Sequence, residues 1–294
     1  MSTPFPIWTI ERPAEEILEQ MGSKAKFWLE WQGPSRSDWW LFKFSRENTG
    51  EHWSEKIAAE IAGLLHISHA QVELARCDGR DGCLLRSFVH RPPASLIHGN
   101  EVLAGMVTGY DAGCTFSHRQ HTFELVLQAL QGIFLAREVP HAIEQMASYL
   151  VLDALVVNTD RHHENWGVLH SHHPGTAFFR IAPSYDHASS LGRELLEDRR
   201  AAILRERRVE GYVRKGRGAI FLPGEQRGAS PLALVEHHAR LHPQYFAPVL
   251  TSLASISDEV LTAPVDLVPD EVMPPSAKLL ARKILCYTAG VLRS

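Results

Sequence analysis

Alternating polar and apolar positions govern the first third of the chain, and helical spacing governs most of the rest. Residues 26–31 (KFWLEW) alternate. Residues 32–38 form a polar turn with Gly33 and Pro34, and residues 39–44 (WWLFKF) return as a second strand. This pattern predicts a hairpin with one or both faces covered. Ile57, Ile61, Leu64 and Leu65 recur at helical spacing and predict a helix over 53–65. A short strand is expected over 83–89, and the His90-Arg91-Pro92-Pro93 segment cannot continue a sheet. Beyond Pro93, broad apolar faces predict helices over 122–138 and 143–157. More helices are expected near 194–207, 231–241, 244–257 and 276–292. Short strands at 166–169 and 177–181 interrupt them, joined by a histidine-rich turn.

The expected architecture is therefore α+β with two lobes, a small sheet-rich N-lobe over residues 1–91 and a mainly helical C-lobe over residues 92–294. No internal repeat or low-complexity tract is visible.

Composition narrows the class. Of 294 residues, 45% are hydrophobic and 22% charged, enough for a substantial core and unlike a disordered chain. A net charge of −4 gives no bulk attraction to nucleic acid or anionic membrane, so neither is an expected direct partner. Cys77, Cys83, Cys114 and Cys286 show no metal or disulfide spacing, which fits a reducing cytosol. The first ten residues do not read as a signal peptide, and no apolar run spans a bilayer, so a cytoplasmic location is expected. Among the 17 histidines, His170, His172 and His173 precede Pro174-Gly175 and read as a solvated turn rather than a metal site. Trp28, Trp31, Trp39, Trp40 and Trp53 read as N-lobe core.

The chemistry concentrates in residues 158–167 (NTDRHHENWG), which follow an apolar helix and precede a strand. Asp160, Arg161, His162, His163, Glu164 and Asn165 are consecutive polar groups that packing alone does not explain. A carboxylate five residues before an amide is what phosphoryl transfer requires: Asp160 to orient or deprotonate a hydroxyl, Asn165 to offer oxygen to magnesium. After the next strand, Asp186 supplies a second metal ligand across a strand pair. Lys43 sits inside an apolar strand, where an ammonium needs an anion, and Glu55 early in the following helix is the natural candidate.

These segments resemble the HipA-like kinases. Asp160-Arg161-His162-x-x-Asn165 resembles their catalytic loop, which distantly related phosphoinositide kinases share. Ala182-Pro183-Ser184-Tyr185-Asp186-x-x-Ser189 resembles their metal motif, and Ser54-Glu55 with Glu60-Ile61-Ala62 resembles the helix that braces the ATP lysine. The resemblance implies a Ser/Thr protein kinase using ATP and Mg2+, often the toxin of a toxin–antitoxin module, with autophosphorylation near the phosphate loop. It implies Asp160 as catalytic residue, and Asn165 and Asp186 as metal ligands. Lys43, braced by Glu55, would hold phosphates, Leu85 to Phe88 would flank adenine, and His162 would support the loop.

No G-x-G-x-x-G precedes Lys43; Gly22 and Ser23 stand in its place. The roughly 20 leading residues leave no room for the extra N-terminal subdomain of full-length HipA proteins, so a core-only member with a separate small subunit or antitoxin is expected. A kinase for a lipid or small-molecule hydroxyl, and a catalytically silent pseudokinase module, remain as alternatives. Residues 199–217 carry eight basic side chains, read either as an exposed helix and loop or as a docking surface for an acidic or nucleic-acid-bound substrate.

Overall fold

Strand pleating sorts the apolar run of residues 39–44 onto two covered faces of a sheet. The computed structural model describes residues 3–13, 17–18, 25–33, 37–89, 94–114, 118–173 and 176–294. Gly22, Ser23 and the lobe division expected at 91/92 lie outside the described residues. Strands β1 (Ile7–Ile10), β2 (Ile17–Leu18), β3 (Lys26–Gln32), β4 (Ser37–Phe44), β5 (Val72–Cys77) and β6 (Arg80–Arg86) form one sheet in the order β1-β5-β6-β4-β3-β2. The expected hairpin is β3–β4, with Lys26 opposite Lys43 and Trp28 opposite Leu41. Trp40, Phe42 and Phe44 pack with Phe27, Leu29 and Leu84 on one face. Leu41 lies on the other with Val72, Cys83, Leu85 and Ala59. Each fully buried aromatic of this kind contributes about 2–3 kcal/mol.

Helix α1 (Glu51–Leu64) covers that second face and begins two residues earlier than its spacing predicts. Trp40 and Trp53 are buried, but Trp53 belongs to the large helical core and Trp39 is 38% exposed, so the tryptophans do not form one N-lobe core. The strand expected at 83–89 runs instead from Arg80 to Arg86, leaving Phe88 beyond its end.

Strands β7 (Ala94–His98), β8 (Gly167–His173) and β9 (Thr176–Ile181) make a second, antiparallel sheet. His170 belongs to β8 and stacks on Phe179 at 4.7 Å rather than lying in a turn. Helix α2 (Gly99–Met106) follows β7, and the helix expected over 122–138 ends as α3 (Phe123–Ile133), capped by Thr122. Helix α4 (Val139–Val156) opens with Pro140 in its first turn, where a missing N–H is harmless. It is buried along most of its length, and Asp153 is the acidic residue on its buried face. Helices α5 (Glu197–Arg205), α6 (Val209–Lys215), α7 (Pro231–Leu241), α8 (Pro243–Ala254), α9 (Asp258–Leu267) and α10 (Pro275–Leu292) complete the helical part. The β1 and β2 strands occupy part of the leading 20 residues that the sequence leaves unassigned.

Candidate functional site

The chain leaves α4 through Val157, whose φ of 57° is unusual for a β-branched residue and turns the backbone sharply. The next residues form the loop ahead of β8. Asn158 donates to Asp153 Oδ1 at 2.8 Å and accepts from the Asp160 amide at 3.1 Å, so its side chain shapes the turn that presents Asp160. Asn165 donates its amide nitrogen to the Asp160 carbonyl at 2.7 Å, which leaves the amide oxygen as the side chain's acceptor. His162 stays within the loop: its carbonyl accepts from Asn165, and Nδ1 accepts from the Glu164 amide at 3.3 Å. That is a loop-supporting position.

Arg161 belongs to the catalytic-loop pattern, but the sequence assigns it no role of its own. It is buried, and its guanidinium reaches both Asp153 oxygens at 2.7 and 2.8 Å. It also donates to the Asn165 carbonyl at 2.6 Å, the Tyr185 carbonyl at 3.2 Å and Ser184 Oγ at 3.0 Å. One fork therefore joins α4, the Asp160 loop and the segment after β9. Burial works against its charge, but the Asp153 carboxylate outweighs it and holds the guanidinium pKa above its usual value. An acid inside the apolar run of residues 149–157 is the available signal for this pair.

The β8–β9 hairpin brings the second loop alongside. Ala182 donates to the Gly167 carbonyl at 2.9 Å, closing the hairpin where both loops emerge. Asp186 then adopts φ of 58°, a left-handed conformation that a surrounding structure must impose. Tyr185 stacks on Phe88 at 5.5 Å and donates to the Glu164 carbonyl at 2.8 Å, binding the two loops again. Ser189 Oγ lies 3.5 Å from Asp160 Oδ2, so the residues after Asp186 return to Asp160.

Lys43 reaches this point from β4. Its ammonium lies 3.4 Å from Asp186 Oδ2, so the ion pair expected with Glu55 is made with Asp186 instead. Glu55 remains within electrostatic reach. Burial lowers the Lys43 pKa, but Asp186 and then Glu55 overcome it, and the net displacement is upward. Glu55 is fully buried; one oxygen accepts from the His187 amide at 2.9 Å and faces His187 Nδ1 at 3.3 Å, and the other has no partner. Burial pushes its pKa up, yet His187 and Lys43 hold it below the usual carboxylate value. Ser184 Oγ accepts from Arg161 and lies 2.7 Å from His187 Nε2, so the His187 ring is held between Ser184 and Glu55.

Helix α1 is held by the same segment through two more contacts. Ser54 donates to the Ser190 carbonyl at 2.9 Å, and Arg193 meets Glu51 at 3.1 Å. Glu51, Ser54 and Glu55 share one helix face. The structure thus brings together Lys43, Glu55, Asp160, Asn165 and Asp186 from the expected set, and adds Ser54, Asp153, Arg161, Ser184 and His187. Leu85 lies on the sheet face that α1 covers. A cavity of about 990 Å³ is lined by Phe88, Phe179 and Pro183 but by none of Lys43, Asp160 and Asp186. A smaller one, about 360 Å³, adjoins Thr159 and Ser189 and is lined by Arg199, Arg208, Lys215 and Arg217.

Residues 19–216 match the family model of the HipA-like C-terminal domain. Among solved structures, the Helicobacter pylori proinflammatory kinase CtkA superposes with a TM-score of 0.75 at 16% identity, covering 98% of each chain. HipA from Shewanella oneidensis MR-1, solved with HipB and operator DNA as a toxin–antitoxin system, gives 0.61 at 14% identity, covering 96% of this chain and 68% of its own. No curated protein sequence matches the chain. At these identities the two structures speak for the fold alone.

Proposed function

The chain belongs to the HipA-like C-terminal domain family, and we propose that it transfers the γ-phosphoryl group of ATP to a serine or threonine hydroxyl of a protein, with Mg2+. The observation that carries this reading is the meeting of Lys43 with Asp186 at 3.4 Å, with Ser189 after it within 3.5 Å of Asp160. A lysine, two metal-type oxygen donors and a hydroxyl-facing carboxylate converge from three chain segments.

Asp160 accepts the proton of the incoming hydroxyl as its oxygen bonds to the γ-phosphorus and ADP departs with the bridging oxygen. Lys43 binds the phosphate oxygens, and Glu55 balances its charge once a nucleotide takes Asp186 away from it. Asn165 and Asp186 fit magnesium because both offer hard oxygen, and the Asn165 nitrogen is already committed to the Asp160 carbonyl. When bound, magnesium neutralises charge on the phosphates. Leu85 and Phe88 flank the adenine, Gly22 and Ser23 meet the phosphates, and His162 supports the loop. The lobes divide at residues 91/92, the protein acts in the cytoplasm, and an antitoxin or small subunit pairs with it, as HipB accompanies the Shewanella HipA. The cationic cavity beside Thr159 and Ser189 takes acidic residues next to the accepting hydroxyl.

The test is incubation of purified protein with γ-labelled ATP, Mg2+ and a bacterial lysate. Labelled protein bands that vanish with Asp160→Asn support the proposal. Label confined to lipids or small metabolites would move it to another hydroxyl, and no transfer at all would leave a pseudokinase.

A further inference from the structure

Away from the nucleotide site, His238 on α7 is fully buried and neither ring nitrogen has a hydrogen-bond partner. Across from it, Glu124 in the first turn of α3 has one buried carboxylate oxygen without a partner. Buried polar atoms are nearly always paired, and a fully buried imidazole with two orphaned nitrogens needs a missing neighbour. Glu124 Oε1 and His238 Nδ1 are 3.7 Å apart, too far for a hydrogen bond and close enough to share an ion. His237, half-buried, brings a third ligand atom, and the three atoms lie within 4.8 Å of one another.

We infer that Glu124, His237 and His238 form a zinc-type metal site that ties the start of α3 to the end of α7. Two imidazoles and one carboxylate suit a borderline ion such as Zn2+ better than magnesium or calcium, which prefer all-oxygen shells. His242, the cap residue just after α7, lies four positions beyond His238 with the two rings nearly parallel at 6.4 Å. Glu124, His237 and His238 supply three ligands, and the fourth tetrahedral position falls to water or to His242 after a side-chain rotation. Phe123 packs on His238 at 4.8 Å and supplies an apolar wall. Both helices pack on α4, which carries Asp153. The bound metal is therefore a staple for the helical part, independent of the kinase reading.

Chelator-stripped, untagged full-length protein titrated with ZnCl2 in a calorimeter tests this, with metal content confirmed by mass spectrometry. One equivalent should bind and raise the melting temperature, and Co2+ in its place should give visible bands of a low-coordinate site. Glu124→Gln and His237→Ala remove half-exposed ligands and should each weaken binding at least about tenfold. His170→Ala, a half-buried histidine elsewhere, should leave it unchanged. His238→Ala should abolish binding, and if it fails to fold the two half-exposed variants decide the matter. No saturable binding, or binding untouched by Glu124→Gln and His237→Ala, overturns the site.

Discussion

Arg161 grips both carboxylate oxygens of Asp153, at 2.7 and 2.8 Å, in a place where each side chain is about 3% exposed. The pair sits under the site rather than in it, and its remaining donors hold backbone carbonyls of Asn165 and Tyr185. Removing one partner leaves the other charge buried and alone, so Asp153→Ala or Arg161→Met should cost about 3–5 kcal/mol. Urea denaturation followed by circular dichroism reads this. A loss under about 1 kcal/mol would mean that water reaches the pair.

Asp160→Asn and Asp186→Ala should each lower the phosphoryl-transfer rate at least about a hundredfold, because each removes charge from the reacting centre while leaving the core intact. Initial rates with labelled ATP measure it. Turnover near that of the unaltered protein in either variant removes the residue from its role.

Charge reversal in the cationic cavity separates docking from chemistry. Arg199→Glu combined with Arg217→Glu should raise KM for an acidic acceptor peptide by about tenfold while kcat stays within about twofold. The salt dependence of kcat/KM should flatten too. Equal KM values for both proteins would assign the basic stretch to a merely solvated surface.

Acid should destabilise the protein through His121. Its Nδ1 donates to the Ala219 carbonyl at 3.1 Å and its Nε2 accepts from Trp166 at 3.3 Å, so both nitrogens are satisfied only in the neutral ring. Burial lowers its pKa to about 3, with His163, His118 and His162 adding repulsion. An unfolded histidine takes up its proton near pH 6.5, so this contribution is complete above that pH and fades as pH falls toward 3. Burial holds His52 down to about 4 and adds in the same direction. Urea midpoints should fall between pH 7 and pH 4.5, and His121→Gln should flatten that decline. A variant with the same slope would shift the cause elsewhere.

Much of the site was legible because its residues are local. Asp160 and Asn165 are five apart, and one hairpin carries the chain from them to Asp186. The β3–β4 hairpin was legible for the same reason. Strand β1 was not, because its partner is β5: Ile7 sits opposite Leu74, and such a parallel pair leaves no trace in four residues. The need of Lys43 for an anion followed from its apolar strand, but which carboxylate answers depends on how two loops fold, and in the structure it is Asp186. The roles of Ser184 and His187 were not legible, because polar side chains within a metal-type motif look like loop residues until Arg161 and Glu55 are placed on either side.

The grip of residues 187–193 on α1 has a pharmacological corollary. Compounds that inhibit by swinging this helix outward must rupture the Glu51–Arg193 ion pair, the Ser54–Ser190 hydrogen bond and the contacts of Glu55 with His187 together. Molecules that compete for the proposed nucleotide position beside Lys43 and Asp186 would face no such obstacle.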